Sequence, residues 1–170
     1  ILSALMKKAK HPLTIIVGGA KVDTKIGLIR NFLTKADYFL IGGGLANTFL
    51  ASEGYDIGKS LYEPSKIELA QEIMLSAEVL KEKFVLPQDA VVADKIGDNV
   101  PVLDLPVEDV MGDMKILDIG RKTTADFISI LKKSKTVVWN GPVGLFECKP
   151  FGKGTQALAQ ALAQLKGVKT

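Results

Sequence analysis

Trp139-Asn140-Gly141-Pro142-Val143-Gly144-Leu145-Phe146-Glu147 is the stretch around which the rest of the sequence arranges itself. It follows Thr136-Val137-Val138, a β-branched run with the composition of a buried strand, so the nine residues form a shaped loop at a strand's carboxyl end. Gly141 and Gly144 let a backbone come close to a ligand, Pro142 fixes one dihedral, and Asn140 and Glu147 supply an amide and an acceptor. The same residues also read as a tight turn between strand and helix. The remainder of the chain decides between the two.

Two earlier strands end in the same way. Leu13 to Val17 runs into Gly18-Gly19-Ala20-Lys21, and a helix then starts with Val22, Ile26, Ile29 and Leu33 on one face. Lys21 and Lys25 stand four apart in its opening turn, where the helix end is already partly positive and like charges repel by a few tenths of a kcal/mol. A glycine turn with exposed N–H groups beneath two lysines suits a polyphosphate, and a solvated face with Asp23 as local compensation is the alternative. Asp37 to Ile41 is the next strand, Gly42-Gly43-Gly44 its turn, and Leu45 to Glu53 a helix stopped by Gly54. These glycines do not match the dinucleotide fingerprint. The loop Asp56 to Leu61 leads to a long helix with Pro64 in its first turn and a core stripe of Ile67, Ala70, Ile73, Met74, Ala77 and Leu80.

Leu2, Leu5, Met6 and Ala9 predict a short helix before His11-Pro12. His11, beside a proline, reads as a capping or solvated residue. After Phe84 come three short strands, Val91 to Ala93, Val102 to Val107 and Ile116 to Ile119, with acids between them that fit solvated loops and no metal motif. Thr123 and Asp126 have the spacing of a capping box opening a helix that buries Phe127, Ile130 and Leu131. A last helix, near Thr155 to Lys166, presents Leu158, Leu162 and Leu165, and Val168 begins what reads as another strand.

Composition narrows the function classes. With 170 residues and 47% hydrophobic content the chain can bury a real core, and its net charge of +3 makes no demand for nucleic acid or an acidic membrane. The longest uncharged run, Tyr38 to Ser52, is too short and too glycine-rich to span a bilayer. The single cysteine, Cys148, cannot form an internal disulfide and fits a small loop residue. No signal-peptide pattern opens the sequence, so a cytoplasmic location is expected. Strands alternating with helices predict one α/β domain with a Rossmann-like, mostly parallel sheet covered on both faces. The three glycine loops can then share one rim and one ligand.

The motifs Gly18 to Ile26, Gly42 to Phe49, Leu117-Asp118-Ile119-Gly120, Trp139 to Glu147 and Phe151-Gly152-x-Gly154-Thr155 together resemble the phosphoglycerate kinase family, in its C-terminal nucleotide-binding domain, over essentially the whole of residues 1–170. The resemblance implies reversible phosphoryl transfer between 1,3-bisphosphoglycerate and ADP in glycolysis, with magnesium. It implies that Lys21 contacts the phosphoryl group in flight, that Lys25 and Asn140 face the nucleotide phosphates, and that Glu147 accepts from the ribose hydroxyls. Gly19, Gly43, Gly44, Leu61, Leu117, Pro142 and Leu145 would wall the adenine pocket. The family is typically monomeric.

Departures from the family pattern set limits. The Gly-Gly-Gly-Asp-Thr loop with the magnesium-binding aspartate is absent, as is the N-terminal domain that carries 3-phosphoglycerate, and Arg121 stands where many members have proline. The chain is therefore expected to be a fragment that holds ATP or ADP, contains no metal ligand of its own and cannot catalyse alone. A non-catalytic nucleotide-binding or regulatory domain would share the same pocket. A Rossmann-type oxidoreductase would share the sheet, but should carry the fingerprint this chain lacks.

Overall fold

The computed structural model describes residues 9–76 and 84–170. Leu2, Leu5 and Met6 of the predicted first helix, and Ala77 and Leu80 of the long helix, lie outside the described residues. The centre of the structure is β1 (Leu13–Val17), whose five residues are all buried, as expected for a parallel strand covered on both faces. On one side it pairs with β2 (Tyr38–Ile41), which pairs in turn with β3 (Phe84–Val85); on the other it pairs with β7 (Thr136–Asn140). All three pairings are parallel, in the order β3-β2-β1-β7. Lys169 adds a parallel bridge beside Thr136, at the outer edge of β7.

The strand order reverses at β1, since the chain first moves outward to β2 and β3 and later returns to the opposite side as β7. At such a reversal the loops leaving the two neighbouring strands part and leave a crevice. The loops here are the ones that follow Val17 and Asn140.

The alternating directions of side chains along the strands feed two cores. Leu13, Ile15 and Val17 face α1 (Val22–Phe32), α2 (Gly43–Ser52) and α3 (Ile67–Ser76), meeting Ile29, Phe32, Phe49 and Ile73. Ile16, Leu40 and Val137 face α4 (Arg121–Lys133) and α5 (Lys153–Gln164), meeting Phe127, Leu131 and Leu158. The predicted arrangement, a parallel sheet with helices on both faces, is thus the one observed. Helix α2 is apolar nearly all round, with Leu45 to Leu50 buried, because it is packed on more than one side.

The three short strands after Phe84 do not extend the parallel sheet. β4 (Asp89–Ala93) pairs antiparallel with β5 (Leu103–Pro106) and β6 (Lys115–Ile119) in a separate sheet, with a bulge between Val91 and Val92. Parallel neighbours need a long crossover, and residues 94–102 and 107–114 contain no α-helix to provide one. A third core of Leu50, Ile57, Ala90, Val92, Val107 and Val110 joins this sheet to α2.

The start of α4 corrects the expected capping box. The helix begins at Arg121, and its cap comes from another element: Asp89 on β4 accepts the N–H groups of Lys122 and Thr123, both at 2.7 Å. Asp89 is 8% exposed and fits only because Gly120 has no side chain, a Cβ there falling inside the carboxylate. Asp126 instead accepts from the Gln88 amide at the surface. Asp89→Ala should therefore lower stability by roughly 2–4 kcal/mol, the worth of charge-assisted bonds to buried donors. Asp126→Ala should stay within about 0.5 kcal/mol of the parent. Urea denaturation of the two variants checks the assignment.

Candidate functional site

The three glycine loops meet at the carboxyl end of the parallel sheet and are sewn together by main-chain hydrogen bonds. Gly18 N–H donates to Asn140 O (2.9 Å), Gly19 N–H to Pro142 O (2.8 Å), Gly43 N–H to Val143 O (2.9 Å) and Leu45 N–H to Gly19 O (2.9 Å). Leu145 N–H then donates to Leu117 O (2.7 Å), which ties the same loop to β6 of the small sheet. The indole N–H of Trp139 closes back on Gly141 O (2.7 Å), so this aromatic ring holds the turn.

These contacts change the reason for two glycines. At Gly141, with φ at +88°, an added Cβ would lie 2.6 Å from Gly18 O, and at Gly144 it would overlap the Asp118 carboxylate. The close approach that these positions allow is therefore between parts of the protein. Gly144 nevertheless also borders an open cleft.

That surface is a cleft of about 250 Å³ between the parallel sheet and the antiparallel one. Gly19, Gly43, Gly44, Leu61, Leu117, Pro142, Leu145 and Glu147 all line it, together with Ala46, Asn47, Ile96, Ile116 and Asp118. Its walls are mostly apolar, as suits an aromatic heterocycle, and Glu147 is among the residues that line it. Leu61 is 66% exposed yet fixed in place, because the amide of Asn47 donates to its carbonyl at 3.0 Å. The other amide atom, Asn47 Oδ1, is buried without a hydrogen-bond partner.

Lys21, Lys25 and Asn140 are not among the lining residues. Lys25 Nζ donates to Asn140 Oδ1, which brings the α1 helix and the end of β7 together, and its Cε lies 3.5 Å from where a Cβ on Gly19 would stand. Lys21 is the N-cap of α1, with extended backbone and an exposed side chain. A negative group does sit at this helix end: the Glu63 carboxylate accepts the Val22 N–H. Asp23 is committed elsewhere, to an ion pair with Lys66 at 2.6 Å. Arg121 turns to Asp104, its Nε donating at 2.8 Å, and lines a separate surface depression with Gln88 and Lys122. His11 bonds Asp37 at 2.6 Å, away from the cleft lining.

Sequence reasoning gave Asp118 no role. It is 2% exposed, on the cleft wall, with Oδ2 accepting the N–H of Gly154 (2.8 Å) and Oδ1 that of Ile119 (2.9 Å). Burial pushes its pKa up to about 7; the two N–H groups pull the other way, and Asp104 adds a smaller upward push. The available signal was a single acid inside the apolar run Ile116 to Ile119.

A raised carboxyl pKa means that the folded state holds the proton more tightly than the unfolded chain does. This contribution is therefore full below the ordinary pKa near 4 and is lost as pH rises through about 7. Unfolding free energies from urea titrations between pH 4.5 and 8 should show this component declining with pH, and Asp118→Asn should remove it. An unchanged slope in the variant would count against the buried, proton-sharing carboxyl.

Comparison with known proteins agrees in fold and sequence. The phosphoglycerate kinase family model matches residues 1–170. The chain is 48% identical over 164 residues to the phosphoglycerate kinase of Zymomonas mobilis, covering 96% of this chain and 41% of that protein. It is 49% identical over 156 residues to that of Desulfovibrio desulfuricans, covering 92% and 40%. The solved phosphoglycerate kinase of Coxiella burnetii superposes with a TM-score of 0.92 at 40% identity, over 96% of this chain and 42% of that one. The enzyme of Pyrococcus horikoshii does so with 0.82 at 28% identity and the same coverage. The chain spans about two fifths of the length of these relatives, and with a family match along all 170 residues it belongs to the phosphoglycerate kinase family.

Proposed function

We propose that these residues form the adenine-nucleotide half of a phosphoglycerate kinase, which exchanges a phosphoryl group between 1,3-bisphosphoglycerate and ADP in the cytoplasm. One observation carries the reading: an apolar slot walled by Leu117, Pro142 and Leu145, with a carboxylate on its wall, opens beside a lysine held at the end of β7. Base, ribose and phosphates find their chemical complements in that order. The base takes the slot, the ribose hydroxyls donate to Glu147, and the phosphates meet Lys25, Asn140 and Lys21 at the start of α1.

The lysines suit phosphoryl transfer because that reaction asks mainly for positioning and charge neutralisation. Lys21, exposed at the helix start, would balance the phosphoryl group during transfer, while Lys25 and Asn140 hold the nucleotide phosphates. The carboxylate of 3-phosphoglycerate, brought by the family's other domain, would serve as the nucleophile in the reverse direction, so no protein nucleophile is needed. Cys148, an unbridged loop residue, stays outside this chemistry.

Magnesium does not fit the donors described here. The phosphate end offers two lysines and an amide, and among the described residues no three His, Cys, Asp or Glu side chains gather as a metal site. Among the described residues no helix is long and apolar enough to cross a membrane.

Calorimetric titration should detect ADP and ATP binding to the protein, with ADP preferred over a nicotinamide dinucleotide in competition. Lys25→Ala should weaken ADP binding by roughly tenfold, about 1.4 kcal/mol. Unchanged affinity would remove the lysine from the phosphate site. The 170 residues alone should form no ATP from 1,3-bisphosphoglycerate and ADP in a coupled assay.

A further inference from the structure

Asp118 is the buried titratable group that the nucleotide reading leaves without a task. Its carboxylate connects two parts of the cleft wall with the start of α5. It belongs to β6, which supplies Leu117 to the wall; it accepts the N–H of Gly154 in the first turn of α5; and it fills the space beside Gly144 in the loop that supplies Leu145. Both glycines are required by this contact, since a Cβ on Gly154 would lie 2.6 Å from Asp118 Oδ1 and one on Gly144 would overlap it. The two wall leucines are joined next to it by the Leu145 N–H to Leu117 O bond of 2.7 Å.

We propose that Asp118 is a positioning residue for the nucleotide, its ionised carboxylate holding α5 and the Gly144 loop against β6 so that Leu117 and Leu145 keep the spacing a base needs. This rests on the nucleotide reading of the cleft. The ionised form accepts from Gly154 and Ile119 with both oxygens at full strength; protonation turns one of them into a hydroxyl, a weaker acceptor, and an amide side chain turns its NH2 donor toward one of those N–H groups. The charged group that acts on it is Asp104 on β5, itself bonded to Arg121 at 2.8 Å; Glu147 shares the cleft lining, and Lys153 precedes Gly154 in the chain. Asp104 acts against ionisation, and burial acts against it more strongly, so the carboxylate titrates near neutrality. Nucleotide binding and loss of this proton are then linked, and each must favour the other by the same factor.

The test follows ADP affinity by calorimetry at pH 6 and pH 8.5 in the parent, Asp118→Asn and Gly154→Ala, with circular dichroism confirming the fold. At pH 8.5 both variants should bind ADP about tenfold more weakly than the parent, and at pH 6 the gap should close to within about threefold. A second measurement needs no variant: the carboxyl ¹³C shift of Asp118, titrated with and without saturating ADP, should show its midpoint lowered by about one pH unit. A midpoint that stays or rises with ADP, or variants that bind within twofold of the parent at both pH values, overturns the proposal while leaving the nucleotide site intact. Failure of the parent to bind ADP overturns both.

Discussion

The pairing of β1 with β7 is the constraint on which the rest depends. Five residue pairs, from Leu13 with Thr136 to Val17 with Asn140, bring two distant parts of the chain into register and so set where their following loops emerge. The ladder then continues past the strands as loop-to-loop bonds, from Gly18 to Asn140 and from Gly19 to Pro142. A slip of one residue would turn every side chain on β7 to the opposite face, taking Val137 out of the core of Phe127 and Leu158 and moving Asn140 away from Lys25. Core packing and site geometry are thus secured by one register.

Charge in the site follows from the same framework. The α1 helix points its partly positive end, with two lysines in its opening turn, toward the cleft rim, an arrangement that costs energy unless anions are close. Glu63 contributes one, through the Val22 N–H, from a segment that also reaches Thr48 on α2 by its own N–H at 3.1 Å. A nucleotide would add the rest. The helix end is balanced in part by the protein itself.

Much of this was legible in the sequence. Regular periodicity revealed α1 and the last helix to within a few residues, and the glycines after Val17, Ile41 and Trp139 marked the loops that meet at the carboxyl end of the parallel sheet and border the cleft. The features that escaped share one property: each depends on a partner far along the chain. Asp89 caps α4 from 34 residues away, whereas the local Thr123 and Asp126 pattern suggested a cap that does not form. The antiparallel pairing of β4 with β6 depends on what the intervening loops can reach. Gly144 owes its lack of a side chain to Asp118, a neighbour in space only. Local pattern reports what a segment prefers, and the contact that selects a residue is often made elsewhere.

The way the cleft is walled has a bearing on molecular recognition across the family. Gly19, Gly43, Gly44 and Gly144 present only main-chain atoms, whose placement survives substitution of the side chains around them. A small inhibitor resting on these glycines would meet nearly the same surface there in any relative that keeps this backbone. Discrimination between relatives has to come from the side chains that share the lining, among them Leu61 and Ile96, which are 66% and 58% exposed and free to differ.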